Sequence, residues 1–184
     1  MPSSVKSYFP AAFWPTSLKT VSFLGAALLI GVGVAAVKAI PHGTHVPYAE
    51  AFGTVVAFIP PAIALVALLF VVVGYELEPQ ELRIRRLLWS TQISLTGLQR
   101  VYADPELMKC SLRIFGNGGL FAITGLYQNR SLGRYRAFVT NPEQAVALFL
   151  PERIIVISPL DPEAFVHDVC ARFPHAQVKN SSTE

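Results

Sequence analysis

Ser158, Asp161 and His167 are the residue types of a hydrolase triad, in which a histidine activates a hydroxyl and a carboxylate orients the imidazole. That chemistry needs the serine on a sharp strand-to-helix elbow. Here Ser158 precedes Pro159 in a segment that reads as the entry to a helix, with His167 on that helix's surface. His42 and His45 suggest metal ligation, with Glu50 as the only helper; two imidazoles without a clear third ligand make a weak site, so they read as a loop pair without metal. Gly116, Gly118 and Gly119 around Asn117 offer the backbone freedom of a phosphate loop, but no helix opens behind them and no lysine or hydroxyl stands where a nucleotide needs one. They read instead as a hairpin turn. With no carboxylate pair and no Cys/His array either, the sequence predicts no enzyme, no cofactor and no metal.

The elements that carry these residues fall into two solvents. No charge occurs between Lys19 and Lys38, or from Ala51 to Tyr75, and each run is about as long as the roughly 20 residues a helix needs to cross a bilayer core of ~30 Å. Only 15% of the 184 residues are charged, against about 25% in an ordinary soluble domain. Lipid must absorb the excess. The expected organisation is an interfacial cytoplasmic segment over 1–19, transmembrane helices over 20–40 and 51–75 joined by a short external loop over 41–50, a compact domain over 76–174, and a disordered tail over 175–184. A signal peptide competes for the first run, but that run exceeds the about 7 to 15 residues of an h-region and a second run follows closely. The net charge of +3 is spread along the chain, with no basic cluster interleaved with aromatics. Nucleic acid is therefore not an expected partner, whereas anionic headgroups are.

Ala27, Gly31, Ala35 and Ala39 recur every fourth residue on the first helix and would let another backbone approach closely; Gly53, Ala57, Ala64 and Ala67 offer the reciprocal surface on the second. A tight helical hairpin follows, or a dimer through the same face. Pro60 and Pro61 predict a kinked second helix; a gate or ion path would need a polar lining, for which only Thr54 is present. Lys6 and Lys19 precede the first helix and Arg83, Arg85 and Arg86 follow the second, so both termini are expected in the cytoplasm, with Lys38 dissenting. Tyr8, Phe9, Phe13 and Trp14 fit an interfacial aromatic belt on that side. Cys110 and Cys170 read as two buried thiols on the reducing side of the membrane.

From Tyr75 onward the apolar period changes from helical to alternating. Leu82 and Ile84 face a core while Glu81, Arg83 and Arg85 face water, and Ile93 and Leu95 repeat the pattern; Leu112 and Ile114, then Leu120 and Phe121, read as two strands joined at the glycine-rich turn. Further strands are expected over 133–140, 144–149 and 153–157, which together mean an antiparallel sandwich or barrel. A last helix opens with Asp161 as N-cap, Pro162 at its first position and Glu163 against its positive end. Phe165, Val169 and Phe173 make its apolar stripe, and Pro174 stops it.

Arg113-Ile-Phe-Gly-Asn-Gly-Gly-Leu-Phe121, Gly125-Leu-Tyr127, Gly133-Arg-Tyr135 and Ile157-Ser-Pro-Leu-Asp-Pro-Glu-Ala-Phe165 carry a resemblance. Over roughly Gly74 to Phe173 the chain resembles the bacterial pleckstrin-homology-like domains found in small membrane proteins with two N-terminal transmembrane helices. The resemblance implies an α+β membrane protein: a transmembrane hairpin, then a PH-like antiparallel barrel capped by a C-terminal helix, at the bacterial plasma membrane. It implies a binding platform for lipids, peptides or further copies, with no catalytic constellation. In phosphoinositide-binding relatives basic residues gather around the first loop and second strand, which makes Arg83 and Arg85 candidates for an anionic headgroup, although Glu76, Glu78 and Glu81 stand where a lysine is expected. Arg130, Arg134 and Arg136 are candidates for a second, bidentate anion patch. The other role for all five is a solvated strand face that sets orientation. The leading expectation is a membrane-anchored interaction module; the alternative is a structural subunit of a larger membrane complex, assembled through the small-residue helix faces.

Overall fold

The computed structural model describes residues 6–39 and 48–178; His42 and His45 lie outside them. The chain enters as a strand, β1 (Ser7–Pro10), leaves into a helix, α1 (Thr16–Ala39), returns along a second, α2 (Ala49–Leu69), and re-enters the same sheet as β2 (Val72–Leu77). Strands β1 and β2 pair antiparallel with Ser7 opposite Leu77 and Pro10 opposite Gly74. The helical hairpin is thus the connection between two neighbouring strands. This revises the expectation for residues 1–19. Ser7–Pro10 belongs to the barrel because its alternation turns Phe9 inward, edge-on to Phe165 with ring centres 5.1 Å apart. Arg172 bonds both strands, donating to the Ser7 hydroxyl at 2.6 Å and the Leu77 carbonyl at 3.0 Å.

Helix α2 ends at Leu69 rather than at residue 75, because Val71, Val72 and Val73 are β-branched and favour the pleated strand. At 24 and 21 residues the helices are about 36 and 31 Å long. Both are long and apolar enough to cross a membrane. Little of either is buried by the rest of the chain: Phe23, Leu24, Leu28, Phe52, Val55 and Leu65 are all exposed. Ala57 and Ala64 of α2 are buried, and Gly53 and Ala67 half-buried, as the small-residue reading requires. On α1 the close approach comes from a different residue. Ala27, Gly31 and Ala35 face outward, and Gly33 is the buried one. A Cβ on Gly33 would stand 3.0 Å from both the Ala57 carbonyl oxygen and Pro61 Cδ. Pro61 has no N–H for the carbonyl four residues earlier, which is that of Ala57; ring and freed carbonyl bulge toward α1, and only glycine leaves them room. Both prolines lie inside one continuous helix.

After β2 come β3 (Glu81–Arg86), β4 (Ser90–Ser94), β5 (Arg100–Ala103), β6 (Leu112–Gly118), β7 (Ile123–Asn129), β8 (Gly133–Val139), β9 (Val146–Phe149), β10 (Ile154–Ile157), a helix α3 (Pro162–Arg172) and β11 (Gln177–Val178). A four-stranded sheet in the order β1-β2-β3-β4 packs on a seven-stranded one in the order β11-β5-β9-β10-β8-β7-β6. Leu77, Leu82, Ile84, Leu148, Ile155 and Phe165 fill the space between. Two pairings are parallel rather than antiparallel, β10 with β8 and β11 with β5. The apolar run Ile154–Ile157 sits centrally between β9 and β8, where a strand covered on both faces belongs. Strand β11 also corrects the tail: Gln177 and Val178 pair with Arg100 and Val101 instead of being free. Asp161 caps α3 as expected, its carboxylate accepting from the Ala164 amide at 2.9 Å with Pro162 following.

Candidate functional site

Ser158, Asp161 and His167 have structural work or none. The buried Ser158 hydroxyl accepts from the Thr140 amide at 2.8 Å, Asp161 caps α3 and His167 is exposed. Among the described residues no group of three or more His, Cys, Asp or Glu converges as metal ligands. Cys110 is exposed and Cys170 half-buried, so the expected pair of buried thiols is not found.

Arg83 and Arg85 are neutralised by their own sheet. Arg85 meets Glu76 at 3.0 Å, Arg83 meets Glu78 at 3.3 Å, and Lys6 meets Glu78 at 2.9 Å. Cross-strand pairing sets this up, because β2 places Glu76 opposite Arg83. The first anion site expected from the sequence is therefore already filled by carboxylates. Arg130 and Arg134 are exposed around the β7–β8 turn, and Arg136 is the one of the five candidates that lines the groove between α2 and the sheet.

That cavity is built by the β6–β7 hairpin. The expected turn at 116–119 lies further on, since β6 runs through Gly118 and the chain reverses over 119–122. Gly116 and Gly125 face each other across the strands with φ of +114° and +140°, and a Cβ on either would collide with the opposite backbone. Their role is close strand approach, not the turn. Asn117 organises the reversal, accepting from the Leu120 amide at 3.0 Å. The tip then docks on α1. The buried Ser22 hydroxyl donates to the Gly119 carbonyl at 3.0 Å and accepts from the Phe121 amide at 2.8 Å, while Trp14 lies against Phe121 with ring centres 6.1 Å apart. Phe121 holds φ of +67°, costly for an aromatic residue and sustained by these contacts.

Docking leaves a groove of about 1090 Å³ between α2 and the sheet face of β6, β7 and β8. Two cross-strand rows form the sheet wall, Asn117–Thr124–Phe138 and Phe115–Leu126–Arg136. Ile59, Ile63, Val66 and Phe70 form the helix wall. Leu112 and Ile114 are exposed because β6 is the end strand of its sheet and carries a bulge between Arg113 and Phe115.

Three arginines line this largely apolar groove: Arg86, Arg113 and Arg136. The Arg86 guanidinium lies 5.1, 5.7 and 5.5 Å from the ring centres of Phe70, Trp89 and Phe138, and Arg136 lies 5.6 Å from Phe138 on the same ring system. None of the three has a carboxylate partner among the described residues, and Arg86 Nε is buried without an acceptor. Burial, and then the charge of Arg136, pull the Arg86 pKa below its usual value. The sequence signal for Arg86 was its parity: Leu82, Ile84 and Arg86 share the inward face of β3, whereas Arg83 and Arg85 point the other way.

A protein-family model described as "Bacterial PH domain" matches residues 73–172, from β2 through α3. No curated protein and no solved structure matches the chain.

Proposed function

The chain belongs to the bacterial PH domain family, and from that premise we propose that it is a non-enzymatic interaction module held at the cytoplasmic face of a membrane by its helical hairpin. Domains of this family are generally non-catalytic binding platforms, and no enzymatic machinery is needed to account for the residues described above. The observation that carries the reading is the insertion of two exposed apolar helices between paired strands β1 and β2. A core helix of a soluble protein would be buried, and these are not. A cleaved leader would take with it Ser22, whose hydroxyl ties α1 to the barrel. The ligand site is the groove between α2 and β6–β8, where barrel and hairpin meet.

Two measurements test this. The full chain should remain in the pellet after alkaline carbonate washing of membranes. A photo-crosslinking residue at Leu126, in the groove, should give adducts in native membranes, whereas the same probe at exposed Gln92 on β4 should not. Release into the aqueous fraction, or adducts from Gln92 alone, defeats the proposal.

One observation favours a second reading, a structural subunit assembled through its helices. Ala27, Gly31 and Ala35 remain exposed, and a Cβ on Gly31 would meet nothing within 4 Å. Gly31→Leu therefore leaves the monomer intact and should abolish complex formation in native membranes if that stripe is an interface. Complexes of unchanged size rule it out.

A further inference from the structure

We propose that the groove between α2 and the β6–β8 face binds one anionic phospholipid from the cytoplasmic leaflet, its phosphate between Arg86 and Arg136 and an acyl chain along Ile63 and Ile59. This rests on the membrane-anchored reading and adds the identity of the ligand.

The groove is chemically polarised along α2. Arg86 stacks on Phe70, the residue that caps the helix, and Arg136 shares the Phe138 ring with it. Toward the helix middle the same groove is walled by Ile63 and Ile59. From Phe70 to Ile59 is eleven residues, about 16 Å of helix, which is close to half of the ~30 Å hydrocarbon core. Its length therefore matches one leaflet, with the cations at the end where headgroups lie.

Charge complementarity selects the head. Two guanidiniums held against one ring repel each other, and no carboxylate among the described residues relieves them. An anion between them removes the repulsion, satisfies the buried Arg86 Nε and forms charge-assisted hydrogen bonds with planar donors suited to phosphate. Arg113, on the β6 edge of the sheet wall, is a third donor. The apolar walls select the tail. Because α2 is exposed along its length, the groove opens sideways toward the surrounding acyl chains, and a lipid enters without crossing water.

The test uses the full chain purified in detergent and delipidated, with native mass spectrometry after adding phosphatidylglycerol or phosphatidylcholine of the same chain length. The expected result is a single retained phosphatidylglycerol, with phosphatidylcholine bound at least tenfold more weakly. The double variant Arg86→Gln/Arg136→Gln should lose that preference, and Arg136→Gln alone, at an exposed position, should weaken it should the double variant misfold. Arg85→Gln, whose partner is Glu76, should leave it unchanged. A thermal shift with phosphatidylglycerol but not with inorganic phosphate at equal ionic strength separates a lipid from a free anion. Equal retention of both lipids, protection by inorganic phosphate alone, or groove adducts formed only with a second copy or another protein each overturn the lipid assignment. Those outcomes leave membrane anchoring standing, because carbonate extraction reads it independently.

Discussion

Ser22→Ala tests the joint on which the groove depends. The Ser22 hydroxyl is the hydrogen-bonding link between α1 and the hairpin tip, donating to the Gly119 carbonyl and accepting from the Phe121 amide. Gly119 is buried, so its orphaned carbonyl costs about 1–3 kcal/mol; Phe121 is half-buried and its amide recovers partly through water, costing about 0.5–1.5 kcal/mol. Alanine returns about 0.5 kcal/mol through its better helix propensity. The net loss is about 1–4 kcal/mol, and at about 2–4 °C per kcal/mol for a chain of this size the expected fall in Tm is between about 2 and 16 °C. Phe121 also loses a contact that sustains its left-handed backbone, which places the outcome toward the upper half of that range. The assay is thermal unfolding of the full chain in detergent, with hydrogen exchange followed over residues 118–123. Ser17→Ala, at an exposed position on the same helix, serves as the control and should stay within about 0.5 kcal/mol of the parent. A Ser22→Ala protein with unchanged Tm and unchanged exchange at the hairpin tip refutes the docking of barrel on helix.

Gly33→Leu should destabilise the helical hairpin by about 1–3 kcal/mol, since its first side-chain carbon meets the Ala57 carbonyl and the Pro61 ring at 3.0 Å and backbone cannot step aside; Gly31→Leu should leave the Tm of the detergent-solubilised monomer unmoved. The same denaturation measurement reads both, and equal effects would mean that α1 presents a different face to α2. Burial raises the Tyr75 phenol from 10.0 to about 12, where it donates to the Phe138 carbonyl at 2.6 Å and accepts from the Ser158 amide. A raised folded-state pKa on an acid makes the folded chain hold its proton longer, so this stability is whole below pH 10 and is lost as pH rises through 12. The loss is up to about 2–3 kcal/mol. Denaturation midpoints between pH 8 and 12 should fall less steeply in Tyr75→Phe, and parallel curves would refute the assignment.

What was legible in the sequence was local. The Asp161–Pro162 entry to α3 could be read because the cap, the first-turn proline and the apolar stripe are all contained within one helix. The alternation of Leu82 and Ile84 was legible for the same reason, and carried through to Arg86 it points into the groove. The place of Ser7–Pro10 was not legible: four residues cannot declare a strand, and their partner lies beyond an entire helical hairpin. Nor could sequence spacing separate Gly33 from Gly31, because α1 offers small residues at several registers and the Pro61 ring on the other helix chooses among them. Gly116 misled for a related reason, since a glycine that permits a turn and one that permits close strand approach look alike until the opposing Gly125 is known.

The insertion of the hairpin between β1 and β2 makes pairing of those strands and placement of the helices one event. A domain appended by a single tether could rotate freely above a bilayer. Here both helix ends are short connections into adjacent strands, α1 beginning six residues after β1 ends and β2 beginning three residues after α2 ends. Those two attachments fix the barrel's azimuth, and the Ser22 contact fixes its tilt. The wall formed by β6, β7 and β8 is therefore held against α2 whether or not a ligand is present, so binding does not first have to order the site. In the membrane-anchored arrangement we propose, the module meets membrane-borne ligands at high effective concentration. With the lipid we propose, modest affinity of the arginine pair suffices, and an occupant of that groove would reinforce the seam between barrel and helix, so that occupancy and the rigidity of the seam rise together.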